Sequence, residues 1–234
     1  MTGTMLKENV ARIQERIAKA ATRAGRRADE ITLIAVSKTH PASAIREAYE
    51  AGLRHFGENR VQEWEGKRAG TEGLAASWHL IGHLQGNKAA RAARLFHCVD
   101  SVDDVGLAQR LDRARAEAGI TGKLRVLIEV RIAQEETKSG MEIKELASAV
   151  EKIAEMPRLQ LQGLMCIPPF LDDAEQVRPF FRRLRELRDG LTAKLGLELP
   201  VLSMGMSHDF EVAIEEGATE VRVGTALFGT RGAA

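Results

Sequence analysis

Eight short apolar runs, separated by longer stretches of helical periodicity, set the tightest limit on how this chain can fold. The runs lie at 31–36, 54–56, 78–81, 95–99, 123–130, 159–165, 200–204 and 220–223. Between them, apolar spacing predicts helices at 41–51, 60–68, 87–94, 103–118, 143–153, 177–195 and 209–216. Pro41 opens the first of these and Gly52 stops it, the usual asymmetry of helix ends. Strands alternating with helices argue for a parallel sheet covered by helices. An N-terminal helix over 5–27, with Leu6, Val10, Ile13, Ile17, Ala21 and Ala24 on one face, completes a ring of eight units. The chain of 234 residues has the usual size of one α/β barrel and is short for two domains. The expected fold is therefore α/β: a single (β/α)8 TIM-type barrel with an extra N-terminal helix, one domain over 1–234. A doubly wound open sheet is the competitor; strand count and length favour the barrel.

Composition removes several function classes. A formal net charge of +1 supplies no field to attract nucleic acid or a membrane surface. Aromatic residues are 4%, too few for a base-stacking surface. Cys98 and Cys166 are the only cysteines and lie far apart, so neither a disulfide framework nor a paired-thiol zinc motif is expected, and a cytoplasmic setting follows. No apolar run approaches the roughly 18 residues of a membrane span. Glu8 and Glu15 argue against a transit peptide, which is poor in acids.

Barrel chemistry collects at the C-terminal ends of strands. Strand one runs into Ser37-Lys38-Thr39-His40, strand two into Gly57-Glu58-Asn59-Arg60, and strand four into Asp100-Ser101. A lysine at a strand exit is often merely solvated. Partial desolvation at the mouth would instead expose a neutral amine, nucleophilic toward an aldehyde. Phosphate often sits between the loops after strands seven and eight, which here are Ser203–Ser207 and Gly224-Thr225. Small residues there let backbone N–H groups approach an anion, although Ser207 could equally be a plain N-cap and Gly224 a plain turn. Arg222 stands between Val221 and Val223, so its side chain points away from both and into the barrel. Buried charge needs a partner. A bridge to Glu220 is not expected; a ligand acceptor or another strand's carboxylate is. His79 and His83 are four apart but read as strand and loop, so no metal site is expected.

The segments Ala35-Val-Ser-Lys38-Thr, His55-Phe-Gly-Glu-Asn59, Trp78-His-Leu-Ile-Gly-His-Leu-Gln-Gly-Asn87-Lys88, Lys138-Ser-Gly140, Gly163-Leu-Met165, Leu202-Ser-Met-Gly-Met-Ser207 and Val221-Arg-Val-Gly-Thr225 resemble the pyridoxal phosphate homeostasis protein family. The match runs in order along nearly the whole chain. It implies a barrel similar to the N-terminal domain of alanine racemase, with pyridoxal 5′-phosphate (PLP) held as a Schiff base on Lys38. It further implies Arg222 at the pyridine nitrogen, phosphate contacts from Ser207, Gly224 and Thr225, and Asn59 near the ring. Ser203 and Met204 would lie by the ring or the phosphate.

An always-charged guanidinium at the pyridine nitrogen keeps the ring unprotonated and weakens it as an electron sink. Racemases of the alanine type add a second base, a tyrosine from a further β-domain. These 234 residues leave no room for one, and Tyr49 falls within the helix after strand one. The resemblance thus implies a PLP carrier or regulator affecting amino-acid and keto-acid balance, with PLP-dependent apoenzymes as partners and a monomeric state. A weak PLP-dependent racemase or lyase, and a cofactor-free phosphate-binding barrel enzyme, are the alternatives.

Overall fold

The computed structural model describes residues 3–133 and 139–229. Strands β1 (Thr32–Val36), β2 (His55–Glu58), β3 (Ser77–Leu80), β4 (Cys98–Val102), β5 (Leu124–Glu129), β6 (Leu159–Met165), β7 (Val201–Ser203) and β8 (Glu220–Val223) form a closed parallel barrel in sequence order. Closure is made by β1 against β8, with Thr32 beside Glu220 and Ile34 beside Arg222. The expected barrel stands, and the open sheet does not.

Helices α1 (Gly3–Arg23), α2 (Ala42–Glu50), α3 (Val61–Lys67), α4 (Ala89–Leu95), α5 (Val105–Glu117), α6 (Leu146–Ala154), α7 (Arg178–Leu195), α8 (Phe210–Glu215) and α9 (Thr225–Phe228) surround it. Among the described residues one turn of helix, α9, follows β8. The outer position there is filled by α1, which packs on α2, α8 and α9. Asn9 donates to the Leu227 carbonyl at 2.9 Å, and Arg16 and Arg23 pair with Glu211 and Glu215 of α8. The apolar stripe of α1, from Leu6 to Ala21, is buried and holds it in place.

One expected element sits elsewhere. The apolar run 95–99 straddles a helix end and a strand start: Leu95 closes α4, Phe96 turns inward, and β4 begins only at Cys98. Asp100 and Ser101 therefore lie within the strand, not beyond it. Phe96 is drawn to an aromatic group between sheet and helices, where Trp64 stacks on Trp78 at 3.7 Å and Trp78 on Phe56 at 5.2 Å. Truncating such a buried ring costs about 3–5 kcal/mol, so this contact outweighs the strand preference of residues 95–97.

The core divides in two. The large part lies between sheet and helices; a small one, Leu127, Met165 and Val201, fills one side of the barrel interior. Ile34, beside Arg222 in register, also faces inward, but polar side chains share that interior, unlike the branched aliphatic layers usual in this architecture. His79 places Nδ1 3.1 Å from Asp100 and Nε2 3.1 Å from His55 Nδ1. Glu220 stands 3.4 Å from Arg125.

Candidate functional site

A cavity of about 680 Å³ opens at the C-terminal ends of the strands. Lys38, Asn59, Ser207, Arg222, Gly224 and Thr225 all line it, so six residues scattered over the sequence meet in one place. Lys38 is half-buried, and among the described residues its amine has no hydrogen-bond or ion-pair partner.

Both peptide groups flanking Lys38 are gripped by one charged network. Lys67, on α3, donates to the Ser37 carbonyl at 2.9 Å, to both Glu58 oxygens at 2.9 and 3.0 Å, and to Glu63 at 2.7 Å. Glu63 in turn accepts the Thr39 N–H through a short hydrogen bond. Ser37 Oγ donates to Glu58 at 2.7 Å. Thr39 has φ 66°, the left-handed region, which costs a β-branched residue about 1–2 kcal/mol. Charge-assisted hydrogen bonds are the strong ones and can hold that conformation. Burial pushes the Glu58 carboxyl up, opposed by Ser37 and Lys67.

Arg222 is 3% exposed and enters the barrel as alternation predicts. Its partners are neutral: the guanidinium donates to Ser203 Oγ and to the Cys166 carbonyl, each at 2.8 Å. Glu220 and Arg222 are two residues apart, so they share the inward face; Glu220 nevertheless pairs with Arg125. Ser203 and Met204 are fully buried and do not line the cavity directly. Ser203 acts through Arg222, whose guanidinium it fixes.

The exits of β7 and β8 are joined by Ser207. Its Oγ accepts from the N–H groups of Gly224 at 3.3 Å and Ala226 at 3.4 Å. Such long contacts are readily surrendered to a charged acceptor. The N-cap of α8 is Asp209, so the plain N-cap reading of Ser207 does not hold. Gly205 (φ 93°) lets this loop lie against α8: a Cβ there would stand 2.6 Å from Ala213 Cβ and 2.9 Å from Phe210 Cα. Its carbonyl accepts the Arg222 N–H at 3.0 Å.

Sequence reading missed Glu129, which is 6% exposed on the cavity wall at the end of β5. It also missed His83, another wall residue, 2.9 Å from Asp103. The Glu63 and Lys67 pair had a visible signal, its i,i+4 spacing on a predicted helix, but nothing local showed what it would hold. Thr137 and Lys138 lie outside the described residues. His79 and His83 do not converge. His79 instead shares a group with Cys98 and Asp100, their ligand atoms within 4.8 Å of one another. Although burial disfavours its charge, Asp100 raises the His79 imidazole well above its ordinary range, while burial and that neighbouring cation lower His55 to about 4.

The arrangement fits PLP on its own chemistry. A free amine suits the aldehyde, small-residue N–H and hydroxyl groups suit the phosphate, and a buried guanidinium held only by neutral acceptors suits a ring nitrogen.

Residues 8–232 match the family described as alanine racemase, N-terminal domain. The pyridoxal phosphate homeostasis protein of Aquifex aeolicus is 48% identical over 224 residues, covering 96% of this chain and 97% of that protein. The Escherichia coli K12 protein of the same name is 45% identical over 231 residues, covering 95% of each. PipY of Synechococcus elongatus, in a structure with PLP bound, superposes with a TM-score of 0.85 at 39% identity, over 96% of this chain and 100% of that one. An alanine racemase of Clostridium difficile shares the fold alone, with a TM-score of 0.74 at 13% identity over 98% of this chain and 58% of its own. With such identity sustained from end to end, the chain belongs to the pyridoxal phosphate homeostasis protein family.

Proposed function

We propose that this protein binds PLP in the cavity, with Lys38 Nζ as the covalent anchor, and serves intracellular PLP homeostasis as a carrier and regulator. The observation that carries the reading is the convergence on one cavity of a lysine amine without a partner among the described residues, a buried guanidinium and a hydroxyl–amide cradle. PipY, with PLP in its structure, supports it. When bound, the cofactor supplies an electrophilic aldehyde and an electron-withdrawing ring.

The chain's own residues do the rest. Ser207, Gly224 and Thr225 hold the phosphate, Asn59 lies against the ring, and the clamp on Ser37 and Thr39 orients Lys38. Arg222 keeps its proton and directs it at the ring nitrogen, which favours the unprotonated ring and disfavours carbanion chemistry. Tyr49, in α2, stacks under Arg54 at 3.9 Å and is not part of the cavity wall. Retention of PLP, more than turnover with it, is the behaviour this set supports.

We read the protein as a cytoplasmic monomer that passes PLP to PLP-dependent apoenzymes. Among the described residues no helix is long and apolar enough to cross a membrane. The decisive measurement is the absorbance spectrum of the PLP-reconstituted protein. A near-visible band that borohydride abolishes, present in the parent and missing from Lys38→Ala, is the expected result. A parent protein with no such band would sink the reading.

A further inference from the structure

A second group of chemically capable side chains lies inside the barrel, away from the cavity at the strand C-termini. His55, Cys98 and Glu220 are the first residues of β2, β4 and β8, so the group sits toward the N-terminal end. Cys98 and Asp100 stand two residues apart on β4 and share its inward face, and His79 on β3 is the register partner of Cys98. All three are buried, and one ligand atom from each lies within 4.8 Å of the other two. His79 turns Nδ1 to Asp100 and Nε2 to His55 Nδ1, each at 3.1 Å. From β8, Glu220 enters the same space, where the charges of Asp100 and His79 act on it. It is 4% exposed; one oxygen lies 3.4 Å from Arg125, and Oε2 is buried without a hydrogen-bond partner.

A dry, unpartnered carboxylate oxygen is rare, because a partner would recover the free energy of its desolvation. A thiol, an imidazole and two carboxylates suit a borderline-soft divalent cation, whereas calcium and magnesium take oxygen ligands. Neighbouring ligand atoms on tetrahedral zinc lie about 3–4 Å apart, so a small closure of this group suffices. Charge agrees with geometry. Arg125 offsets one of the three anions that Cys98, Asp100 and Glu220 supply when ionised, and a divalent cation cancels the other two. His55, on the second ring nitrogen of His79, is placed as the outer partner that orients a metal-bound imidazole. His55 and Arg125 are only half-buried, which leaves a path in from the N-terminal mouth of the barrel.

We propose that His79 Nδ1, Cys98 Sγ and an Asp100 oxygen, with Glu220 as the fourth ligand, form a zinc site inside the barrel. None of the four lines the PLP cavity, so the two sites are separate. Binding forms one Zn–N, one Zn–S and two Zn–O bonds, and the protons on Cys98 Sγ and His79 Nδ1 leave to solvent. His79 therefore carries its charge only in the metal-free chain. By tying β3 and β4 to β8 across the barrel, the ion stabilises the end opposite the cofactor.

The test uses the full chain carrying Lys38→Ala, which keeps the near-ultraviolet clear of PLP and leaves all four ligands intact. After treatment with a chelator, equilibrium dialysis against zinc chloride should load about one ion per chain. Cobalt(II) in its place should show the near-ultraviolet absorbance of a cobalt–thiolate bond and the visible bands of four-coordinate cobalt. Cys98→Ser should abolish the thiolate absorbance, and Cys98→Ser and Asp100→Asn should each weaken zinc at least about 10-fold, the loss that even an outer partner causes. Zinc should raise the melting temperature of the Lys38→Ala chain and leave that of Cys98→Ser unmoved. The proposal is overturned if zinc does not saturate near one ion per chain, if cobalt shows no thiolate absorbance, or if Cys98→Ser binds zinc as tightly as its parent. The cobalt spectrum of the Lys38→Ala chain decides the matter even where a ligand variant fails to fold. Because Lys38 is absent from every chain tested, the result does not depend on the PLP reading.

Discussion

Glu129 is 6% exposed, and burial raises its carboxyl from the ordinary 4.5 to about 7. An acid whose folded value is raised binds its proton more tightly in the native state than in the unfolded one. Stability therefore falls as pH rises from about 4.5 to 7, and the cost is complete above that window. The full cost is about 3 kcal/mol. Glu129→Gln is accordingly expected to stabilise the cofactor-free protein by about 2–3 kcal/mol at pH 8 and by little at pH 4.5, as read by urea denaturation at the two pH values. An equal gain at both would show that packing, not charge, is responsible. No residue pattern in the sequence announced this carboxyl: an acid at a strand end is usually solvated, and only the barrel wall decides that this one is not.

At the scale of elements, α3 carries the positioning of Lys38. One face of that helix supplies both Lys67, on the carbonyl before the lysine, and Glu63, on the amide after it. Glu63→Gln keeps an acceptor but removes the charge that anchors Thr39 and pairs with Lys67. It is expected to release PLP about 5- to 10-fold faster on dialysis, a change of about 1 kcal/mol, with inorganic phosphate affinity of the cofactor-free protein unchanged. Loss of phosphate affinity in parallel would mean that the whole cavity had collapsed and the clamp was not specific. Most elements were legible from apolar spacing, because helix and strand periods differ and Gly or Pro marks their ends. The run 95–99 was misread for a definite reason. Both halves are apolar, and the aromatic packing that pulls Phe96 off the strand comes from Trp64 and Trp78, distant in sequence.

The whole barrel pairs an apolar shell with an interior that carries buried polar groups, and its acid limit follows from those groups. His55 is lowered to about 4 from 6.5 by burial and by charged His79. A base with a lowered folded value is protonated first in the unfolded state, so stability is lost as pH falls from about 6.5 to 4. His55 is only partly buried, and solvent screening brings the loss to about 2 kcal/mol. His55→Gln should flatten that limb in thermal melts between pH 7 and 4, and an unchanged slope would assign it to other groups. His79 has the opposite sign: its raised value contributes stability below pH 6.5 that is lost as pH rises through the folded value.

The order of elements and the strand-end positions of Lys38, Ser207, Gly224 and Thr225 were legible in the sequence itself, because hydrophobic period and position at a strand end are local properties of a chain, whereas closure was decided by the pairing of β1 with β8. Which unsatisfied groups face the cavity was decided only by tertiary structure. Ser203 turned out to be a support for Arg222, Glu63 and Lys67 a clamp on Lys38, and Glu129 a buried carboxyl on the cavity wall. The reason is physical: burial and hydrogen-bond satisfaction depend on neighbours brought from other strands, and no spacing within one segment encodes them.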